Sequence, residues 1–418
     1  MATRRDFLKT ISLSAVALPI LPQWDFTNSK VAELVFPSRK DPAFWKKIRK
    51  LFPMPLDQSF FNTGTLGAMP TVVLESITDH MRKVVTEIAE WDYKGDDWIS
   101  GYQPMTELRR KVAELINAET EEIALTGNAT MGLNYIANGL ELKPGDEVLG
   151  TNQEHSGGRS GWRLREKRNG IVYRPIEIPR APVSPEQVVE LIKKAITPKT
   201  RVISVSHITS GSGAIFPVKE IAALGKKHNI FTVFDGAQTV GQIPVDVKYI
   251  DCDAYFGSQH KWLLAPPGNG FLYIRKERIE EVWTTLASGQ WDNHEDDGFR
   301  LSQRGTGNQS LLIGLNAAID FHNRVGPSRI YTRIKYLGDY LRDNLKRLKK
   351  VEFLSPTHPD MCAGITAYNI RGIEPGFLMD ELWRRKKIRI RGVRQSTHIY
   401  NSTEELDATL EIVKELAK

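Results

Sequence analysis

The chain has 418 residues, 41% hydrophobic and 26% charged, a length that predicts two or three domains with a substantial core. Its 32 glycines and 22 prolines are too few for a low-complexity or collagen-like polymer. Lys and Arg number 57 against 50 Asp and Glu, a mild net charge of +7, and two cysteines, Cys252 and Cys362, are too few for a disulfide framework or a cysteine-based zinc site.

Thr3-Arg4-Arg5-Asp6-Phe7-Leu8-Lys9 precedes an apolar stretch from Ile11 to Leu21, the layout of a targeting segment or of an N-terminal amphipathic helix. A membrane span needs about 20 apolar residues, so this stretch is too short for one. The seven positions resemble the twin-arginine export signal. That resemblance implies a signal segment over 1–29, the twin-arginine translocase as partner, and a periplasmic or exported destination reached after folding.

An arm over 30–70 follows. Val73, Ile77, Met81, Val84 and Ile88 recur at three and four, which predicts a helix over 71–90, and Met105, Leu108, Val112, Leu115 and Ile116 mark a second. Short apolar runs then alternate with helical patterns. The runs are 123–126, 147–151, 171–178, 201–206, 230–234, 253–256 and 270–274, and the clearest helices between them are 130–139, 185–196 and 218–228. Such alternation predicts an α/β fold, a mostly parallel seven-stranded sheet in a large domain over 71–298, with ligands beyond the carboxyl ends of its strands. After Gly298 the pattern changes to helices at 310–322 and 331–348 and strands at 364–370 and 388–393, a smaller α+β C-terminal domain over 299–418.

Two charged stretches read as surface. Asp292 to Asp297 is an acidic loop with one histidine, more in keeping with a solvated turn than with a metal site. Arg384, Arg385, Lys386, Lys387, Arg389, Arg391 and Arg394 form a basic run, but Ile388 and Ile390 alternate within it, the pattern of a half-buried strand. Nucleic acid is not an expected partner. Gly211-Ser212-Gly213 lacks the third glycine and acidic residue of a dinucleotide site.

The chemistry concentrates between Phe231 and Gly270. One strand ends in Asp235-Gly236-Ala237-Gln238 and the next in Ser258-Gln259-His260-Lys261-Trp262, so both groups lie at strand ends. Taken singly, Asp235 reads equally as a helix cap and Lys261 as a surface lysine. Taken together, a carboxylate that keeps a pyridine ring protonated and a lysine that forms a Schiff base with an aldehyde imply pyridoxal 5′-phosphate.

Asp235-x-Ala-Gln238, Ser258-x-His260-Lys261 and Pro-Pro-Gly-Asn-Gly after them resemble the class V aminotransferase family, and Arg394-Gln-Ser-Thr-His-Ile-Tyr-Asn401 its isopenicillin N epimerase-like branch. The resemblance spans about 60 to 405 and implies the fold type I architecture of pyridoxal phosphate enzymes. It makes Lys261 the Schiff-base lysine, Asp235 the partner of the pyridine nitrogen and Gln238 a contact of the ring's phenolic oxygen. Ala129 and Thr130, in Thr126-Gly-Asn-Ala-Thr130, become the phosphate loop, with Ser258 and His260 completing it, and His155 becomes the ring that stacks on the cofactor. Thr306, in Arg304-Gly-Thr-Gly-Asn308, would reach a neighbouring subunit's phosphate site, which implies a homodimer. Arg394 would bind a substrate carboxylate, and Asn62, in Phe-Phe-Asn62-Thr-Gly, would line the active-site mouth.

The implied activity is chemistry at the Cα of an amino acid or amino-acid-bearing substrate: epimerisation, transamination or β-elimination. C–S lyases and a siderophore-modifying transaminase are alternatives within the branch. A desulfurase of this family carries a thiolate on a loop upstream of the substrate arginine, and residues 363 to 393 hold no cysteine, which disfavours that activity. Outside enzymes, two readings stay open: a catalytically idle protein that keeps the fold, and a nucleic-acid binder resting on the basic run at 384–394.

Overall fold

The structure is a computed structural model and describes residues 30–38, 41, 43–89 and 104–418. The twin-arginine motif and the signal segment lie outside the described residues. No helix among the described residues is long and apolar enough to cross a membrane.

Strand β1 (Ser59–Phe60) belongs to the arm and pairs with a strand 329 residues later, described below. Strands β2 (Ile123–Thr126), β3 (Glu147–Thr151), β4 (Val172–Ile176), β5 (Thr200–Ser206), β6 (Phe231–Asp235), β7 (Ala254–Ser258) and β8 (Gly270–Ile274) form one sheet in the order β2-β8-β7-β6-β5-β3-β4. Only β8 runs against the others. Helices cover both faces, and the inner strands are accordingly continuous apolar runs rather than alternating ones. Leu125, Leu149, Ile203, Phe234 and Tyr273 pack into the core beneath helices Thr71–Thr86 and Gln309–Val325, while Val148, Val202, Val233, Phe256 and Leu272 face the opposite layer with Ala129–Gly139.

Local chemistry sets the helix starts that face the site. Asn128 caps Ala129–Gly139, its side chain accepting the Met131 N–H at 3.0 Å, and His155 caps Ser156–Asn169, its Nδ1 accepting the Gly157 N–H at 3.1 Å. Because β2, β3, β5, β6 and β7 point the same way, their carboxyl ends share one edge. Thr126, Thr151, Ser206, Asp235 and Ser258 therefore form a row.

Strands β9 (Val351–Phe353), β10 (Ile365–Ile370), β11 (Ile388–Arg389) and β12 (Arg394–Ser396) belong to the C-terminal part, where β12-β10-β9 form an antiparallel sheet. Its core holds Leu337, Leu341, Tyr368, Leu382, Leu406 and Leu410, and also Phe61 from the arm. The packing partner does not change at Gly298: helix Gln309–Val325 lies against Thr71–Thr86 and shares the main core. The single strand expected at 388–393 is two strands. A tight turn at Arg391-Gly392-Val393-Arg394 separates them, closed by hydrogen bonds exchanged between Arg391 and Arg394 at 3.1 and 2.9 Å and by Gly392 at φ 55°. The helix expected from Tyr331 starts instead at Pro327, since proline suits the first helical position.

The basic run divides accordingly. Arg384, Arg385 and Lys386 end helix Pro375–Lys386 and pair with Glu381, Glu415 and Glu411. Arg389 lies over the Trp383 ring, while Arg394 is buried. Two carboxylates of the acidic loop are engaged as well, Asp296 with the buried Arg109 and Asp297 with Arg300.

Candidate active site

A cavity of about 630 Å³ opens at the carboxyl edge of the sheet. It is lined by Ala129, Thr130, His155, Asp235, Gln238, Ser258, His260, Lys261 and Arg394 together with Gly64, Thr65, Gly157, Gly158, Arg180, Ser206, Ser210 and Arg391. A wider surface hollow beside Trp45, Arg329, Arg333 and Tyr336, about 770 Å³, has no acid, lysine or histidine in its wall and so lacks the groups for proton transfer.

Asp235 is buried, with Oδ1 accepting the Ala237 N–H at 2.8 Å. Burial raises its pKa, against the Ala237 N–H and the Lys261 charge. No protein donor among the described residues meets Oδ2, so the carboxylate is suited to a cationic N–H from a ligand. Burial lowers Lys261 to about 8, Asp235 opposing and the Arg394 charge assisting. Such a lysine is neutral for a useful minority of the time near physiological pH, far more than an exposed one, as a nucleophilic or basic amine requires.

The anion cup joins three segments. Ser258 Oγ accepts the Ala129 N–H at 3.0 Å, which ties the lysine strand to the first turn of helix Ala129–Gly139. That turn presents free N–H groups and the positive end of the helix dipole. His260 Nδ1 is buried without a partner among the described residues, and burial holds its ring near pKa 4, neutral at physiological pH. The opposite wall is stripped of side chains: a Cβ at Gly157 would stand 2.4 Å from Thr130 Oγ1, and one at Gly158 would stand 2.9 Å from Asp235 Oδ2. An orphaned donor, a helix terminus and a cleared wall fit a phosphorylated pyridine.

Gln238 is largely committed. Its Nε2 donates to the Gly64 carbonyl at 2.8 Å and its Oε1 accepts from Trp262 Nε1 at 2.7 Å, which leaves one N–H for a ligand oxygen. Arg394 is held by three acceptors, the Ser210 carbonyl at 2.6 Å, Thr65 Oγ1 at 2.7 Å and Asn62 Oδ1 at 3.1 Å. Burial, with the like charge of Arg391, lowers its guanidinium to about 10. Asn62 thus sits behind the arginine instead of lining the mouth. Thr306 is exposed and is not part of the cavity wall.

Several contributors carried no motif. Thr65 and Ser210 come from loops far from Arg394 in sequence. Glu154 is buried and accepts from Thr151 Oγ1 at 2.7 Å and Ser206 Oγ at 2.6 Å, and burial raises it to about 7. Ser206 was findable from its place at the end of β5, where the Asp235 strand pairs with it. Arg180 gave no local signal, and Arg391 stood out only as a member of the basic run.

A lysine of lowered pKa and a buried carboxylate across a phosphate-type cup, on this sheet order, define a fold type I pyridoxal phosphate enzyme. The chain belongs to the aminotransferase class V family, whose model matches residues 62–412. The isopenicillin N epimerase of Amycolatopsis lactamdurans is 29% identical over 401 residues, 90% of this chain and 99% of that protein. A probable cysteine desulfurase of Pyrococcus abyssi is 28% identical over 397 residues, 89% and 97% of the two chains. Among solved structures, the cystine C–S lyase C-DES with its reaction product cysteine persulfide superimposes with a TM-score of 0.76 at 26% identity, covering 88% of this chain and 99% of that one. A C-DES mutant with glycine covalently linked to its pyridoxal phosphate gives a TM-score of 0.78, also at 26% identity and the same coverage.

Proposed function

We propose that this protein is a pyridoxal phosphate-dependent enzyme that removes the Cα proton of a carboxylate-bearing amino substrate. The observation that carries the reading is the convergence of Lys261, Asp235 and Arg394 on one cavity, with Arg394 fixed by Asn62, Thr65 and Ser210.

Bound in the cup, the cofactor supplies an electron sink for the pair left on Cα. Ala129, Thr130, Ser258 and His260 would hold its phosphate, and Asp235 Oδ2 would be free to receive its ring N–H. Arg394 keeps its Nε–H and one Nη1–H for the substrate carboxylate, and the three acceptors behind it hold the guanidinium still, so Cα is placed rather than merely attracted. Lys261 Nζ takes the proton, its neutral form favoured by burial. His155, anchored by its cap to Gly157, walls the cavity.

A C–S lyase is the second reading, favoured by the likeness to C-DES and by the cysteines. Cys252 and Cys362 are buried, and neither lines the cavity, so no thiol stands ready to receive sulfur as a desulfurase requires. The proposal extends to a homodimer in which Thr306 serves the neighbouring site, and to export through the twin-arginine pathway.

The test begins with the visible spectrum after loading with pyridoxal phosphate, using Lys261→Ala as control. A yellow band that the variant lacks, together with exchange of a Cα proton for deuterium in heavy water, is the expected result. Retention of stereochemistry at Cα or its loss, and release of cysteine persulfide, pyruvate and ammonia from cystine, then separate epimerisation from elimination. A band with no exchange for any amino acid in a broad panel would leave the idle binding protein.

A further inference from the structure

The cavity wall carries more positive charge than the proposed reaction uses. Its charged lining residues are Lys261, Arg180, Arg391 and Arg394 against one carboxylate, Asp235. Lys261 and Asp235 are committed to the cofactor, and Arg394 to the carboxylate attached to Cα. Arg180 and Arg391 remain. Both are exposed, and neither side chain has a hydrogen bond or ion pair with any described residue. The neighbouring Arg384 and Arg385, by contrast, are each tied to a glutamate.

The backbone holds both arginines at the mouth. Arg391 opens the tight turn that ends in Arg394, so the two guanidinium groups lie on one hairpin, close enough that the charge of Arg391 acts on both Arg394 and His155. Arg180 follows β4 on a loop pinned by Gln153, whose Nε2 donates to the Ile178 and Pro179 carbonyls at 3.2 and 2.6 Å. The same Gln153 accepts from Ser212 Oγ at 3.0 Å, next to the Ser210–Gly211 stretch of the wall. One side chain therefore braces two walls of the opening. Crowding like charges without a counter-ion is unfavourable unless an anion joins them.

We propose that Arg391 and Arg180 receive a second carboxylate of the substrate, distal to the one on Arg394, so that the substrate is an amino acid or amino-acid conjugate with an acidic, extended side chain. The assignment rests on the reading of the site given above. It makes these two residues the specificity determinants, while Arg394 handles what every amino-acid substrate shares.

The experiment is a spectrophotometric titration of the holoenzyme with L-amino acids bearing a terminal carboxylate after two to five methylenes, each against its terminal amide. The wild type is expected to bind at least one acid about tenfold or more tightly than its amide, the order of a charge-assisted hydrogen-bonded contact. Arg391→Gln, and more so the Arg180→Gln/Arg391→Gln pair, should bring that ratio close to one, and raising the salt concentration should shrink it in the wild type alone. Equal binding of acid and amide across the series would overturn the assignment, as would a preference that survives in the double variant. Loss of pyridoxal phosphate affinity in Arg391→Gln, with the acid preference intact, would assign the charge to the cofactor's phosphate and overturn it also. A holoenzyme whose band depends on Lys261 but responds to no amino acid would instead sink the underlying reading.

Discussion

Lys261 offers the sharpest quantitative check. Its amine sits at about 8 in place of the ordinary 10.5, because burial outweighs the Asp235 carboxylate and the Arg394 charge adds to the effect. At pH 7.5 a lysine of pKa 8 is neutral about a quarter of the time and one of pKa 10.5 about one part in a thousand, so Lys261 should react roughly two hundred times faster than an exposed lysine of equal nucleophilicity. The assay is acylation of the cofactor-free protein by a small neutral reagent across pH 6 to 11, with the Lys261 peptide followed by mass spectrometry against exposed lysines such as Lys167. Two substitutions move the midpoint in opposite directions: Asp235→Asn removes a charge that favours the ammonium and lowers it, while Arg394→Gln removes a charge that opposes the ammonium and raises it. A wild-type midpoint near that of the exposed lysines, or the same direction of shift in both variants, would refute the electrostatic account.

Other consequences can be measured separately. Burial holds Glu154 at about 7, above its ordinary 4.5, so the folded state binds the extra proton between those values and stability should fall as pH rises from 4.5 to 7. Glu154→Gln should flatten that slope in denaturant melts of the cofactor-free protein, and an unchanged slope would show that Glu154 does not contribute it. Gly158→Ala would put a Cβ 2.9 Å from Asp235 Oδ2, and overpacking of that kind should weaken cofactor affinity about tenfold or more, read by dialysis and absorbance. Cys362→Ser and Cys252→Ala should keep turnover on the best substrate, whereas loss with either, in a protein that still melts normally, would revive the desulfurase reading. Lys substituted at both Arg4 and Arg5 should abolish appearance outside the cytoplasm, scored by fractionation and immunoblot.

The sheet was legible because its strands are buried on both faces, which makes them short unbroken apolar runs: 123–126, 147–151 and 270–274 were readable to the residue. The break after Arg389 was not, since the Ile–Arg alternation continues through it and Gly392 at φ 55° is the one sign of a turn. The same logic governs the site. Asp235, Gln238, Ser258, His260 and Lys261 stand in contiguous motifs at strand ends, where spacing alone suggests a role. The support of Arg394 does not, because Thr65 lies 329 residues away in sequence, and only the folded chain brings its hydroxyl to the guanidinium. Glu154 stood beside a residue that drew attention, yet its burial against two hydroxyls could be known only from the packing of β3 on β5.

The arm residues 59–67 tie together parts of the chain made at opposite times. Phe60 pairs in register with Arg389, Phe61 accepts the Ser396 N–H at 2.8 Å, and the Gly67 N–H donates to the His260 carbonyl at 2.8 Å. On the ribosome Phe60 and Phe61 must wait for these partners until more than three hundred further residues have emerged, and Gly67 for His260 until about two hundred have. Such long-separation contacts form late and slowly, because the loop they close is large. The carboxylate clamp, which needs both ends, is thus among the last features to assemble, and a nascent chain completes its cofactor cup before it can grip a substrate.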